Sequence, residues 1–356
     1  MSRKRGEKLL LEAEREARAQ AAADHERAVR SLRSELSEAK ATNRVLSERL
    51  DERERELETY AAALAPKRKL RPIRPRLKGK TSSESTLVVL ASDWHIEEEV
   101  LAKSVQHLNA YNPEIARERA ERFFRSILKL LDINRKHTRI DAIVLWLGGD
   151  FITGSLHEEN LITTAMLPLE AINLAGELLA DGIATLLEHG KLTRIVVPCS
   201  FGNHGRLSKK PYYSKAATAN LEWHLYARLA QDFESESRLE FHVTESRLNE
   251  GVEVFGRRLR FHHGEDLRYS GGLQGTFGRL FKAHTAWNQT TPCFMSFVGH
   301  WHQHKVFDGV GAINGSLIGY SAYSQMLLCE YEPPRQTFLM IEKDHGLTSS
   351  GPIFVE

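Results

Sequence analysis

The sequence predicts an α/β domain built on a parallel sheet and preceded by one long helix. Three observations predict it. Apolar runs at residues 86–91, 140–147 and 194–199 alternate with helical stretches, a β-α-β-α-β order that requires crossovers and so parallel strands. Beyond residue 230 the texture changes to short apolar runs at 239–243, 252–255, 259–262, 294–298 and 337–341, separated by turn residues. Residues 1–62 contain no proline and one glycine, Gly6, and are rich in Ala, Glu, Arg and Leu.

The N-terminal helix carries a second pattern. From Val29 a heptad places Val29, Leu36, Asn43, Leu50 and Leu57 at a, and Leu32, Ala39, Leu46, Arg53 and Tyr60 at d. The 4-3 spacing suits a coiled coil, and Asn43 at a central a position favours two strands in register, because its amide pairs with a partner amide. A homodimer or larger assembly through this helix is the expectation. The alternative, favoured by Arg53 at d, is a solvated single helix or an arm packed on its own domain. Residues 63–85 read as a linker, interrupted by Pro66, Pro72 and Pro75. Residues 86–345 read as the catalytic domain. Within it Pro113 opens a helix with a face of Ile115, Phe123, Phe124, Ile127, Leu128 and Leu131. Further helical regions lie at 161–187 and 216–229.

The net charge of +2 conceals an asymmetry. Residues 1–60 balance 14 basic against 14 acidic groups. The linker carries Lys67, Arg68, Lys69, Arg71, Arg74, Arg76, Lys78 and Lys80 with no acid between them, so the rest of the chain is net −6. Such a tether suits nucleic-acid phosphates through counterion release; a solvated spacer is the alternative. No aromatic residue interleaves it, so base stacking by this segment is not expected. Three cysteines, Cys199, Cys293 and Cys329, exclude a disulfide scaffold and fit a reducing, cytoplasmic setting. No apolar leader stands at the start, and the longest uncharged run, 309–329, is too polar for a membrane span.

The chemistry sits at the carboxyl ends of the apolar runs. The runs end in Ser92-Asp93-Trp94-His95, Gly148-Gly149-Asp150, Ser200-Phe201-Gly202-Asn203-His204, His262-His263-Gly264 and Gly299-His300-Trp301-His302. Ligand sites of open α/β sheets lie at such strand ends. Any one of these histidines alone reads as a structural residue; five such endings in order read as one site. Imidazole and carboxylate donors without thiolate suit divalent manganese, with iron, zinc or nickel as alternatives.

These motifs (Asp-x-His, Gly-Asp, Gly-Asn-His, His-Gly and Gly-His-x-His) resemble those of the calcineurin-like metallophosphoesterase superfamily, over roughly residues 86–320. The resemblance implies a four-layer α/β/β/α sandwich with two divalent metal ions at one edge. It implies Asp93, His95 and His302 on the first ion, Asn203, His263 and His300 on the second, and Asp150 bridging. It implies that His204 sits beside the second ion without binding it and is catalytic, protonating the departing alkoxide or hydrogen-bonding the phosphate in the transition state. The implied reaction is phosphoester hydrolysis by a hydroxide shared between the ions. His262 is the less expected ligand, and His304 is expected to be structural. The chain departs from the pattern at one position. The superfamily usually carries an acid after Gly-Asn-His, which can orient the histidine, and here that residue is Gly205.

The stretch after His204 offers Arg206, Lys209, Lys210, Tyr212 and Tyr213 for substrate phosphate and base contact, or is an ordinary exposed loop. His157 and Glu158 read as pocket wall or as a polar helix start. The expected activity is a phosphodiesterase acting on DNA, a nuclease loosely similar to the bacterial DNA-repair exonuclease branch, without the capping domain usual there. The alternatives are a phosphatase or nucleotide phosphodiesterase on small or protein substrates, and a weakly active metal-binding scaffold.

Overall fold

The structure is a computed structural model that describes residues 2–64, 83–156, 160–211, 214–267 and 275–356. It divides into two units, Met1–Lys78 and Gly79–Glu356.

The described part of the first unit is the helix α1, Ser2–Leu64, unbroken over 63 residues. At 1.5 Å per residue it is about 95 Å long. Leu32, Leu36, Leu46, Leu50 and Leu57 of the heptad are each more than half exposed. Ion pairs one turn apart, Arg30–Glu26 and Arg44–Glu48 at 3.1 Å, run along the same helix. The basic residues Lys67, Arg68, Lys69, Arg71, Arg74 and Arg76 lie outside the described residues, as do His157, Glu158, Tyr212 and Tyr213.

The second unit is a four-layer sandwich. Its first sheet has the order β11-β10-β1-β2-β3-β4. Here β1 is Ser85–Ala91, β2 Ala142–Leu147, β3 Arg194–Pro198 and β4 Leu239–His242. These four are mutually parallel. The strands β10, Arg335–Glu342, and β11, Gly346–Phe354, are added antiparallel on the other side of β1. The sheet therefore continues past residue 345. The second sheet has the order β5-β6-β7-β9-β8, with β5 Asn249–Val254, β6 Arg257–His262, β7 Met295–Val298, β8 Lys305–Phe307 and β9 Gly311–Ile313. In it β6, β7 and β9 are parallel.

The apolar runs explain the layering. Every residue of β1 is buried, as a strand covered on both faces requires. Leu87, Val89 and Ala91 join one cluster with Phe123, Phe124 and Ile127 of α2, Pro113–Asn134, and with Leu179 and Ile183 of α4, Pro168–His189. Val88 and Leu90 point the other way, into a second cluster with Leu259, Phe261, Met295 and Phe297 of the second sheet. The period of two along the strand thus sends alternate residues to the helices and to the facing sheet. Trp146 of β2 and Phe261 of β6 meet across the sheets with ring centroids 5.9 Å apart. The outer face of the second sheet is closed by Leu280 and Trp287 of α6, Gly275–Trp287. The remaining helices are α3, Asn160–Thr163, α5, Leu221–Asp232, and α7, Ala322–Met326. Pro113 opens α2 as expected, with Asn112 as N-cap accepting from the amide of Ile115 at 2.8 Å.

The run at 239–243 belongs to the first sheet, as the fourth parallel strand, and the run at 337–341 forms β10, antiparallel beside β1. Pairing partners are set by crossovers, which local patterning does not record.

Candidate metal centre

Parallel pairing puts the carboxyl ends of β1, β2 and β3 at one edge of the first sheet, and those of β6 and β7 at one edge of the second. All five motif loops leave from these ends. The loops are stitched together by backbone bonds: Asp93 N–H to Gly149 O at 2.9 Å, Trp94 N–H to Asp150 O at 2.8 Å, and Gly299 N–H to His263 O at 2.7 Å. Side chains then bridge the two sheets. The amide of His300 donates to Asp93 Oδ1 at 2.9 Å, His302 Nε2 lies 3.3 Å from Asp93 Oδ1, and His263 Nε2 lies 2.9 Å from Asp150 Oδ2.

The donors fall into groups. Asp93, His95 and His302 bring one ligand atom each within 4.8 Å of the others, and so do Asp150, His263 and His300. Asp150 also groups with His95 and His204, so it stands between the two sets. Asn203 is beside His300 on the wall of a common cavity. Five of these residues hold left-handed backbone: Asp93 (φ 58°), His95 (48°), Asp150 (51°), His300 (65°) and His302 (53°). That conformation is unfavourable for L-residues, and it clusters where side chains must be aimed against local preference. Gly149 (φ 86°) and Gly202 let the loops of β2 and β3 touch; a Cβ on Gly202 would collide with the carboxylate and amide of Asp150.

Hydrogen bonds at the far nitrogens set the tautomers. The Thr153 hydroxyl donates to Glu98 Oε2 at 3.0 Å, so toward His95 Nδ1, also 3.0 Å away, it is the acceptor. His95 therefore carries its proton on Nδ1 and turns the lone pair of Nε2 inward. His263 Nδ1 donates to Gly148 O at 2.7 Å with the same consequence. His95 Nε2 and Asn203 Oδ1 are buried with no hydrogen-bond partner among the described residues. A buried acceptor left unpaired is destabilising, and a cation satisfies both. The donor set of imidazole, carboxylate and amide oxygen is that of a borderline or hard divalent ion. The residues present therefore fit two such ions.

Electrostatics agree. Burial holds His95 well below the ordinary imidazole value, helped by repulsion from His204 and His302. Burial and the neighbouring His263 bring His300 down to about 4. At His263 burial also acts downward, but the carboxylates of Asp150 and Asp93 outweigh it and raise the ring to about 9. In metal-free protein that raised pKa contributes stability below the ordinary value of 6.5, lost as pH rises through about 9. The melting temperature of chelator-treated protein should therefore fall between pH 6.5 and 9. Mn2+ affinity should climb over the same range as the competing proton leaves. Calorimetry across that range checks both; a flat profile contradicts the pairing of His263 with Asp150.

The ring of His204 lies edge-on to His95, centroids 4.9 Å apart, and groups with His95 and Asp150. Its Nδ1 donates to the carbonyl of Thr153 at 2.8 Å, while its amide donates to Asp150 Oδ1 at 2.8 Å. Thr153 thus orients His95 through its hydroxyl and His204 through its carbonyl. The carbonyl supplies the orienting contact that an acid at position 205 would have supplied. No side chain fits at Gly205, where a Cβ would lie 2.5 Å from Asn220 Oδ1 and 2.8 Å from Glu222 Cγ.

The remaining candidates separate. Arg206 is half-buried, lines the cavity with Asn203 and His300, and donates to the carbonyls of Asn203 and Ser208 at 3.2 and 3.1 Å. Lys209 and Lys210 are exposed. His262 is buried, 3.7 Å from Asp266, and His304 bonds Thr337 Oγ1 at 2.8 Å. Sequence reading missed Thr153, Glu98, Arg247 and Glu222. Their signal is only spatial, since none belongs to a motif.

No family profile and no curated protein matches the chain. Among solved structures it is similar to a single mutant of Vps29 from Entamoeba histolytica, with 14% identity, 75% of this chain and 98% of that chain covered, and a TM-score of 0.29. Vacuolar Protein Sorting 29 from Cryptosporidium parvum aligns at 14% identity over 76% and 98%, with a TM-score of 0.32. A conserved uncharacterized protein described as a predicted phosphoesterase, from Streptococcus pneumoniae, aligns at 10% identity over 75% and 98%, with a TM-score of 0.26. Likeness at this level carries no chemistry; the chain's own side chains do.

Proposed function

We propose that this chain is a dinuclear-metal phosphoester hydrolase. One observation carries the reading: the donor groups Asp93–His95–His302 and Asp150–His263–His300 are linked by Asp150, which also groups with His95 and His204, and the buried acceptors His95 Nε2 and Asn203 Oδ1 suit a cation. Two divalent ions held there, Mn2+ by preference, would supply Lewis acidity and a water nucleophile available near neutral pH. The protein's part is positioning. Asp93, His95 and His302 would hold one ion, Asn203, His263 and His300 the other, and Asp150 would serve both. His204, with Nδ1 tied to Thr153, exchanges a proton through Nε2 and protonates the departing alkoxide. Arg206 adds a fixed positive charge at the wall of the site.

The substrate reading begins from a phosphodiester of nucleic acid, supported by the basic run at 66–80 and by Arg206. A specific observation favours a smaller substrate. The cavity of about 240 Å³ beside Asn203 and His300 is lined by Arg206 and Arg247 but equally by Glu265 and Asp266. A charge-balanced cleft gives a polyanion little, whereas it offers both donors and acceptors to a compact polar ester. The test is Mn2+-supplemented hydrolysis of bis(p-nitrophenyl) phosphate, p-nitrophenyl phosphate and labelled DNA side by side. DNA cleavage supports the nuclease; turnover of small esters alone supports the second reading; silence on all three sinks the hydrolase. If the basic run does track DNA, replacing its eight cations by glutamine should flatten the salt dependence of DNA binding. An unchanged slope makes it a spacer.

The exposed leucine stripe of α1 supports pairing with a second copy through the heptad centred on Asn43. Deleting residues 1–62 should lower the mass seen by light scattering to that of a monomer and leave turnover per site unchanged. A monomeric full-length chain would end this reading.

A further inference from the structure

The loops that carry Asp150 and Asn203 belong to different strands, and something must keep them in register. Glu222, in the first turn of α5, is fully buried. Its Oε1 accepts from the amide of Phe151 at 2.6 Å, and its Oε2 accepts from the amide of Gly202 at 2.7 Å. Phe151 comes directly after Asp150, and Gly202 directly before Asn203. One carboxylate therefore joins the peptide next to the bridging ligand to the peptide next to a ligand of the second group. The cap and the middle of α5 grip the β3 loop twice more: Asn220 Nδ2 donates to Gly202 O at 2.8 Å, and Tyr226 Oη donates to Ser200 O at 3.2 Å. Gly205 leaves room for this arrangement, since any side chain there would displace Glu222 and Asn220.

We propose that Glu222 is a positioning residue for the metal centre, a buried carboxylate clamp that fixes Asp150 and Asn203 relative to each other. It never touches the ions or the substrate. An ordinary helix N-terminus needs no such bond: Asn220 already caps α5, accepting from the amide of Glu222 at 2.9 Å. Nor is the carboxylate there for solubility, being out of water. Burial and the nearby Asp150 carboxylate raise it to about 7, while the two amides favour its charged form. A buried charge that holds two amides opposes folding, and its effect is geometric precision at the adjacent ligands.

This inference rests on the proposed metal centre but not on phosphoester turnover, so its test reads metal binding. Glu222→Gln keeps the volume but presents an NH2 to one of the two amides. Mn2+ affinity measured by titration calorimetry should fall about 10–100-fold, the range found for groups that orient metal ligands. Leu229→Ala, buried on the same helix, is the control: it should lower the melting temperature yet leave affinity unchanged. Where Glu222→Gln does not fold, Glu222→Asp retains the charge on a stem one methylene shorter and should lose affinity to a smaller extent. Affinity within twofold of wild type in either variant, or an equal loss in Leu229→Ala, overturns the clamp. A wild-type protein that binds Mn2+ and hydrolyses no phosphoester sinks the proposed activity and leaves the clamp standing.

Discussion

Asp150→Asn should abolish turnover and weaken both metal ions together. Asp150 is 1% exposed and contributes to the donor groups on either side of it. Its Oδ1 accepts from the amide of His204 and its Oδ2 faces His263 Nε2 at 2.9 Å. Asparagine preserves shape, so one oxygen can still receive the His204 amide. The other position becomes an NH2, which cannot bind a cation and offers His263 no negative charge. Changes to groups that only orient ligands cost about 10–100-fold, and loss of the shared carboxylate should exceed that, to roughly 10³-fold or more in kcat. The check is Mn2+ stoichiometry by calorimetry beside hydrolysis of bis(p-nitrophenyl) phosphate. Near-normal turnover, or loss of one ion with the other untouched, would refute the bridging role.

His204→Ala should do the reverse: metal retained, rate lost. The ring is fixed by the Thr153 carbonyl and the backbone amide by Asp150, so Nδ1 bonds a carbonyl rather than a ligand side chain. A general acid is typically worth about 10²–10⁴ in rate. The loss should be largest for esters with alkoxide leaving groups and smaller for p-nitrophenyl esters, whose departing phenolate needs little protonation. A carbonyl partner bears on this. It fixes orientation, as an acid after Gly-Asn-His would. Release of metal from His204→Ala, or an equal loss on every leaving group, would reassign the residue to the ligand set.

Much of the architecture was readable along the chain. Residues 86–91 form a strand covered on both faces because their apolar run has no polar gap, and Asn112-Pro113 announces α2 by capping chemistry that is local. The strand ends of β1, β2, β3, β6 and β7 announce the centre because each couples an apolar run to Asp, Asn or His, with glycine beside Asp150, Asn203, His263 and His300. Elements with weak local signals escaped. The short β8 and β9, Lys305–Phe307 and Gly311–Ile313, hold three residues each. The edge strand β11 contains glycine, serine and proline, and it is ordered by pairing with β10 rather than by propensity.

The donor types, their order and the polarity of the strands that deliver them are properties of short segments, so they were written in the sequence. The orienting hydroxyl and carbonyl of Thr153 and the clamp of Glu222 were not. Thr153 lies 51 positions before His204, and Glu222 lies 71 positions after Phe151. Contacts at such separations are made by packing two sheets and a helix against one another. A backbone carbonyl leaves no mark in the sequence at all, and the glycine at position 205 acquires its meaning only when Asn220 and Glu222 are seen to fill the space beside it.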